Sequence, residues 1–558
     1  MRPRKKIMKI NLQQILIFTF FSFTNLANAQ IVNNGGTIAV QNGALIKTLG
    51  DFKNYNGTII NDGKIEVQGN FINTGTYYST LNDDSLLMTG IGLDTLNSGG
   101  ITINYLTINK TTSSDGIRLG SSMVVNKKLD FTSGIFSTDP ILNPTFILTS
   151  PTSAVYNFGA STEIIGSVKR TGWANGTANV FNQSNMLVTT NGGTAPTDFT
   201  VTMLPQTGGG NPSQNEREVT RSYNFAQTAG TGFTANIRYP YLTSELNTNT
   251  EANLVPWKLV SSEWNGLTTG ATRDLVAHFV NYSGIPAADI TQEWKLADPR
   301  YTFNVTAYLG GAWINSTGLM RATLSSSSAF PLTQPYNVAP FNYTGTETVA
   351  TVPPNVVDWI LLEFRKPFTG SAVDAVQSSK AGSKACFLLS NGNIVDLDGS
   401  TISNFDISKQ GAGFVVVRHR NHLAIMSNSL PSNTIGTFTN NFSSLGNVYT
   451  KSSPLSPPAT TLFPTLPGSG LYGMWSGDVN KDNSVTTADL TPINIAISGP
   501  ASGNTNVYNP RDLNLDFNIT SADLSITNKS INGFANSSST KSSTNSTEKK
   551  ILSSHVPQ

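Results

Sequence analysis

Two stretches near the C-terminus carry the residues best suited to chemistry. Asp478-Val-Asn480-Lys-Asp482-Asn-Ser484-Val-Thr-Thr-Ala-Asp489 puts oxygen-bearing side chains at loop positions 1, 3, 5 and 12. Asp512-Leu-Asn514-Leu-Asp516-Phe-Asn518-Ile-Thr-Ser-Ala-Asp523 repeats the pattern 34 residues on. A tight loop presents alternate side chains inward, which suits a hard cation such as calcium that takes about six to eight oxygens. The backbone carbonyl of position 7, Ser484 or Asn518, adds one ligand, and the carboxylate at position 12 closes the shell. Ca2+ is therefore the expected cofactor. Its ligands would be Asp478, Asn480, Asp482, Ser484 and Asp489 in the first loop, and Asp512, Asn514, Asp516, Asn518 and Asp523 in the second. Without a cation each loop would crowd uncompensated carboxyl and amide groups. Position 6 calls for a left-handed backbone, which Asn483 tolerates and Phe517 does not readily adopt, so the second site is the less secure.

Each loop needs an element to hold its last ligand. Helical patterns follow both copies, over Thr487–Ser498 and Ser521–Ile531, with Ala-Asp-Leu in the first turn. An acid there also meets the positive end of the helix dipole. The paired loop-plus-helix units resemble the duplicated repeats of a dockerin domain. The resemblance implies calcium in both halves and a cohesin-like partner that docks onto the module.

Other arrangements are weaker. His419 and His422 lie in Arg418-His-Arg-Asn-His422, near Asp358, Glu363, Asp396 and Asp398. A catalytic metal needs about three converging protein ligands and an open position. Histidines three apart on a strand face opposite ways unless the chain turns between them. A structural role, bonding strands and carboxylates, is the better expectation. No Gly-x-Ser-x-Gly elbow adjoins a helical pattern, and no carboxylate pair is marked out for glycoside hydrolysis. No catalytic residue is assigned, and the chain is not expected to be an enzyme.

The rest of the chain reads as β. From Ile31 to about Pro140, short β-branched pieces such as Gly36-Thr-Ile-Ala-Val40 and Lys64-Ile-Glu-Val67 alternate with Asn-Gly and Asp-Gly corners. Gly50-Asp-Phe-Lys-Asn-Tyr-Asn-Gly57 is echoed by Gly69-Asn-Phe-Ile-Asn-Thr-Gly75. Short strands recurring about every 20 residues suit a solenoid whose coils bury their inner residues only by stacking. A sandwich with regular hairpins is the alternative. Gly69-Asn-Phe-Ile-Asn-Thr-Gly-Thr76, Tyr105-Leu-Thr-Ile-Asn109 and Lys128-Leu-Asp-Phe-Thr-Ser-Gly-Ile135 resemble repeats of Bacteroidetes surface proteins, which implies parallel β-helix coils and an adhesin-like setting.

Beyond this, Asp198–Leu204 and Phe233–Tyr239 alternate as strands, and Gln206–Pro212 reads as a polar loop. Trp257, Trp264 and Trp294 could stack on sugar rings, although aromatic residues of a β domain more often pack inward. Further strands are expected at Tyr301–Leu309, Val356–Phe364, Ile394–Gly399 and Gly413–His419. Tyr343-Thr-Gly-Thr-Glu347, Val357-Asp-Trp-Ile-Leu-Leu-Glu363 and Val417-Arg-His-Arg-Asn-His-Leu423 resemble a hemagglutinin-like module of Bacteroidetes surface proteins. That resemblance implies a β-sandwich and a cell-surface habitat, with no reaction attached.

Charge and export narrow the function. Arg2, Arg4, Lys5, Lys6 and Lys9 precede an apolar run, Ile15–Phe23, and a small-residue site, Ala27-Asn-Ala29. This is the three-part pattern of a secretory signal peptide, and the run is too short for a spanning helix. Removing it leaves 31 bases against 34 acids, which argues against a nucleic-acid binder. With one cysteine, Cys386, no disulfide framework can form. The expected order is a signal peptide (1–29), a β-solenoid (30–145), β-sandwich domains (146–300 and 301–470), a dockerin-like domain (471–534) and a disordered Ser/Thr/Asn-rich tail (535–558). The fold class is mainly β, and no transmembrane segment remains after cleavage. The expected function is a secreted or surface-exposed adhesin-like protein binding glycan or protein. A dockerin-bearing carbohydrate-active or carbohydrate-binding subunit is the alternative.

Overall fold

The computed structural model describes residues 29–138, 146–205, 218–428, 436–451, 460–462, 470–500, 504–536 and 551–558. Most of the export signal, the loop Gln206–Pro212 and much of the tail lie outside them. The chain is mainly β, 45% strand and 10% helix. Among the described residues, no helix is long and apolar enough to cross a membrane. Two compact units divide the chain, the first reaching Asp298 without Glu263–Thr268, the second holding Glu263–Thr268 and Pro299–Gln558.

The first unit opens with a β-solenoid of about 6 turns. Ile31–Asn34, Phe52–Tyr55 and Phe71–Asn73 pair in parallel as one face, and Leu45–Thr48, Lys64–Val67 and Ser85–Met88 as another. A third face, Thr37–Val40, Thr58–Asn61 and Thr76–Tyr78, accompanies only these first coils. Alternation sends Phe52, Ile59, Ile65, Val67 and Phe71 fully inside. The echoed motif falls in register, with Phe52 stacked on Phe71 at 5.6 Å.

Its asparagines form a buried ladder. Asn33 Nδ2 donates to Asn54 Oδ1 at 2.9 Å, and Asn54 Nδ2 to Asn73 Oδ1 at 2.7 Å. Each Nδ2 also bonds a corner carbonyl, of Gly36, Gly57 and Gly75. The close approach explains the glycines: a Cβ on Gly57 would lie 2.2 Å from Asn33 Nδ2. Asn54→Ala is expected to destabilise the unit by about 2–3 kcal/mol, because Asn33 and Asn73 each lose a partner in a dry site. A fall in urea midpoint of the first unit, followed by tyrosine and tryptophan fluorescence, measures it; an unchanged midpoint would refute the ladder's contribution.

Parallel pairing continues beyond residue 145. Ile147–Pro151 and Val155–Phe158 still pair in parallel with Met123–Ser133. Ile164–Thr171 then pairs in parallel with Ile147–Pro151 on one side and antiparallel with Asp198–Pro205 on the other. That strand converts the ladder. Beyond it the antiparallel strands Asp198–Pro205, Glu218–Thr228, Glu293–Ala297 and Val255–Val260 follow in order. A second antiparallel sheet holds Leu187–Asn191, Thr234–Pro240, Phe279–Pro286 and Thr272–Asp274. Aromatic side chains join the two, with Tyr239 edge-on to Tyr223 at 5.2 Å and 5.9 Å from Trp294. Trp257 and Trp294 are 0% and 1% exposed, so neither offers a face to a sugar. Their place is the core.

In the second unit, five antiparallel strands run in the order Ile394–Val395, Lys380–Leu389, Val356–Arg365, Phe414–Arg418 and Ile425–Met426. All ten residues of Val356–Arg365 are buried. A three-stranded sheet of Ser403–Asp406, Arg300–Thr306 and Thr437–Asn441 meets it through Phe303, which stacks on Phe405 at 4.0 Å and lies 5.9 Å from Phe364. Residues 301–470 and 471–534, expected as separate domains, both lie within this compact unit. The two helices, Thr487–Ser498 and Ser521–Asn536, follow the two oxygen-rich loops. Of the expected tail, two short pieces are among the described residues. Ala535 and Asn536 end the second helix, and Ile551–Gln558 packs with Leu552 and Val556 buried.

Candidate functional site

The two loops adopt one backbone design. Positions 4 and 6 are left-handed in both, at Lys481 (φ 63°) and Asn483 (φ 68°), and at Leu515 (φ 57°) and Phe517 (φ 74°). Phe517 therefore takes the conformation expected to resist it. Leu515 is fully buried in the core of the second unit, and Phe517 packs against that core, so tertiary burial offsets a strain of order 1–3 kcal/mol per residue.

Hydrogen bonds match position by position. Asp478 accepts from the N–H groups of Asp482 (3.0 Å) and Asn483 (3.1 Å); Asp512 accepts from those of Asp516 (3.1 Å) and Phe517 (3.0 Å). Asp489 Oδ1 accepts from Val479 N at 2.9 Å and Asp523 Oδ1 from Leu513 N at 2.7 Å. Each second oxygen takes the N–H of position 9, Thr486 at 2.9 Å or Thr520 at 2.8 Å. The same threonines cap the helices through Ala488 N and Ala522 N, both at 3.2 Å. Position 3 joins position 5, with Asn480 Nδ2 on Asp482 and Asn514 Nδ2 on Asp516, both at 2.8 Å. All ten residues singled out by spacing thus belong to the two loops, with Asp489, Asp512 and Asp523 fully buried and Asp478 6% exposed.

Such burial penalises negative charge. Asp478 is pushed up to about 7 by burial and then by the charges of Asp489 and Asp482. Asp512 also rises to about 7, through burial and Asp523 and against the Arg420 charge. Burial raises Asp489 and Asp523 as well, against the N–H groups that favour their ionised form. The donor set is all oxygen and suits a hard cation. Among the described residues, no three His, Cys, Asp or Glu side chains stand together as a ready metal-holding group. The loop carboxylates are instead tied to loop N–H groups.

What fastens the loops is a buried polar network that sequence spacing did not reveal. Asp358, wholly buried, accepts through Oδ2 from Arg420 Nε (2.8 Å) and His419 Nε2 (3.1 Å), and through Oδ1 from Tyr508 OH (2.8 Å). Arg420 donates to Asn509 O and stacks on the Tyr508 ring, 4.3 Å from its centre. Asn421 Nδ2 donates to Pro510 O (3.0 Å) and to Asp512 O (2.8 Å), the first residue of the second loop. Gly477, which precedes the first loop, donates its N–H to Asn421 O at 3.0 Å.

His419 and His422 do converge, because Phe414–Arg418 ends before them and the chain turns. Their Nδ1 atoms are 3.0 Å apart. Gly311 N–H donates to His422 Nε2 at 3.1 Å, which leaves the His422 proton on Nδ1. That proton faces Asn421 Oδ1 at 2.8 Å as well as His419 Nδ1, while His419 Nε2–H points at Asp358. Both rings are then neutral. Burial lowers both, against the Asp358 charge for His419 and with the His419 and Arg420 charges for His422. The Arg-His-Arg-Asn-His run bonds strands and carboxylates as expected, but the elements it joins are the two loops and Val356–Arg365. The only legible signal was the density of hydrogen-bonding residues in that run.

The chain matches no protein-family model, no curated protein and no solved structure.

Proposed function

We propose that this chain is an exported, adhesin-like β scaffold whose two C-terminal loops each bind a calcium ion, in the manner of dockerin repeats. The observation that carries this reading is the duplicated loop, with matching oxygen donors, left-handed positions and helix caps 34 residues apart. Calcium supplies the positive charge that the buried carboxylates lack, with Asp478, Asn480, Asp482, Ser484 and Asp489 as its holders in the first loop and Asp512, Asn514, Asp516, Asn518 and Asp523 in the second.

Anchorage of both loops on Arg420 and Asn421 favours a structural role for the ions within this chain over capture of a separate cohesin-like partner. The solenoid and the facing sheets, read as sandwiches, each offer surface for non-covalent binding of glycan or protein. The N-terminal charged, apolar and small-residue segments support export. We assign no reaction, and the buried His419 and Asp358 serve as fasteners.

Calcium titration of the mature chain tests the reading. At free calcium about 100 times the dissociation constant, each site adds about 2.7 kcal/mol to the second unit. The melting temperature of that unit should rise with calcium and fall with chelator, and a paired Asp489→Asn, Asp523→Asn chain should not respond. No binding heat and no thermal shift at millimolar calcium would remove the calcium reading. Of the three tryptophans considered for sugar stacking, only Trp264 is outside the deep core, so retention on insoluble polysaccharides with and without Trp264→Ala tests a glycan ligand.

A further inference from the structure

The two loops share their internal bonds but differ in what brackets position 7, whose carbonyl is the backbone ligand of the calcium reading. In the second loop the bracket is local. Val507 N donates to Phe517 O at 3.0 Å, and Ile519 N donates to Asn504 O at 2.8 Å. In the first loop the equivalent residues are Asn483 and Val485, and the bracket comes from the far end of the chain. Ser554 N donates to Asn483 O at 2.8 Å, and Leu552–Ser553 pairs antiparallel with Ser484–Val485. Hydrogen-bonded and non-bonded pairs alternate along such a ladder. The Asn483–Ser554 bond therefore leaves Ser484 turned away from the added strand, and its N–H indeed bonds Asp482 inside the loop at 2.9 Å.

The rest of the terminal segment is held as a bound peptide is held. Leu552 (1% exposed) packs with Leu423 and Val485. Val556 (0% exposed) fills a pocket of Phe414, Val416, Met426 and Tyr449. Ser554 Oγ donates to Ala424 O at 2.8 Å, and Arg365 Nη1 donates to Pro557 O at 2.7 Å. Added-strand bonding with pockets for alternate side chains is a known mode of peptide recognition.

We propose that this groove is a peptide-binding site occupied by the chain's own C-terminal segment, Ile551–Gln558, and that its occupancy sets the calcium affinity of the first loop but not the second. The proposal rests on the calcium reading. Binding free energies of two coupled ligands are reciprocal, so calcium in the first loop must tighten the segment by the factor that the segment tightens calcium.

The test titrates calcium into three full-fold proteins: the mature chain, the chain ending at Lys550, and the Ser554→Pro chain, which loses the N–H donated to Asn483. Asp489→Asn and Asp523→Asn versions assign the two sites. Loss of the bracketing bonds should weaken the first site about tenfold or more, leaving the second within about twofold. A synthetic peptide of residues 551–558 added to the shortened chain should restore the first site. Equal first-site affinity in all three proteins would overturn the proposal while leaving calcium binding intact. Absence of binding at both sites of the mature chain would overturn the calcium reading and this proposal with it. Should the shortened chain lose its circular dichroism signal, Ser554→Pro alone decides.

Discussion

Asp358→Ala should cost the second unit about 3–5 kcal/mol, because it leaves the buried Arg420 without its counter-charge. The same change removes acceptors from His419 and Tyr508, so the span Tyr508–Asp523 loses its fastening to Val356–Arg365. Burial raises the Asp358 carboxyl, yet Arg420 and His419 overcome it and hold the group at about 2. Amide hydrogen exchange on the full chain checks the effect: protection over residues 504–532 should collapse, while the solenoid strands keep theirs. Asp358→Asn keeps the shape and removes the charge. A wild-type exchange pattern in that variant would show that packing, and not the ion pair, fastens the loops.

Acid should act on the same network in wild type. His419 and His422 lie below the ordinary value of 6.5 in the folded chain, so the unfolded chain binds more protons as pH falls through 6.5. Stability then decreases below that pH and is fully present above it. Asp358 adds a second loss, from about its ordinary value of 3.8 down to about 2. In the calcium-free chain Asp478 and Asp512, at about 7 when folded, take up protons that the unfolded chain does not, and so oppose the histidine loss between about 7 and 3.8. The net acid loss of the second unit should therefore show below about pH 4, where Asp358 titrates.

The second large effect lies in the first unit. Arg221, with a side chain 0% exposed, donates from Nε to Glu245 at 2.8 Å and from Nη1 to Glu163 at 2.7 Å. Its Nη2 reaches both acids again, at 2.8 and 3.1 Å. The guanidinium fork ties Glu218–Thr228 to the turn Thr243–Glu245 and to the start of Ile164–Thr171. Burial works against the charge and the two acids more than restore it, so the group is held protonated. Arg221→Ala should destabilise the unit by about 3–5 kcal/mol, since two partly buried carboxylates lose their partner. Arg221→Lys should recover less than half of that, because an ammonium cannot span both acids in the fork geometry. Exchange protection of Glu218–Thr228 and Ile164–Thr171 reports it, and a fully rescued lysine variant would mean that charge alone matters there.

How much was legible varied with the range of the interaction. The Phe and Asn of the echoed solenoid motif pair as their spacing implied, because successive coils repeat the same local environment. Ile147–Pro151 and Ile164–Thr171 carry no asparagine corner like the first coils, yet they continue the parallel ladder, so their pairing had no local signal. The helix starts at Thr487 and Ser521 were readable from the helical pattern with Ala-Asp-Leu in the first turn. Trp257 and Trp294 were ambiguous, since an aromatic ring reads the same in sequence whether it faces a sugar or a core.

By itself the sequence determined the oxygen-bearing residues of both loops, their helices and the β repeats, since each arises from residues within about two dozen positions of one another. Tertiary structure alone decided that Asp358 gathers Arg420, His419 and Tyr508, that Phe517 accepts a left-handed backbone, and that Ser554 rather than a neighbour closes the first loop. Those outcomes depend on groups brought together across long loops. Their free energy comes from desolvation and hydrogen bonding in the assembled core, for which no short stretch of chain carries a signature.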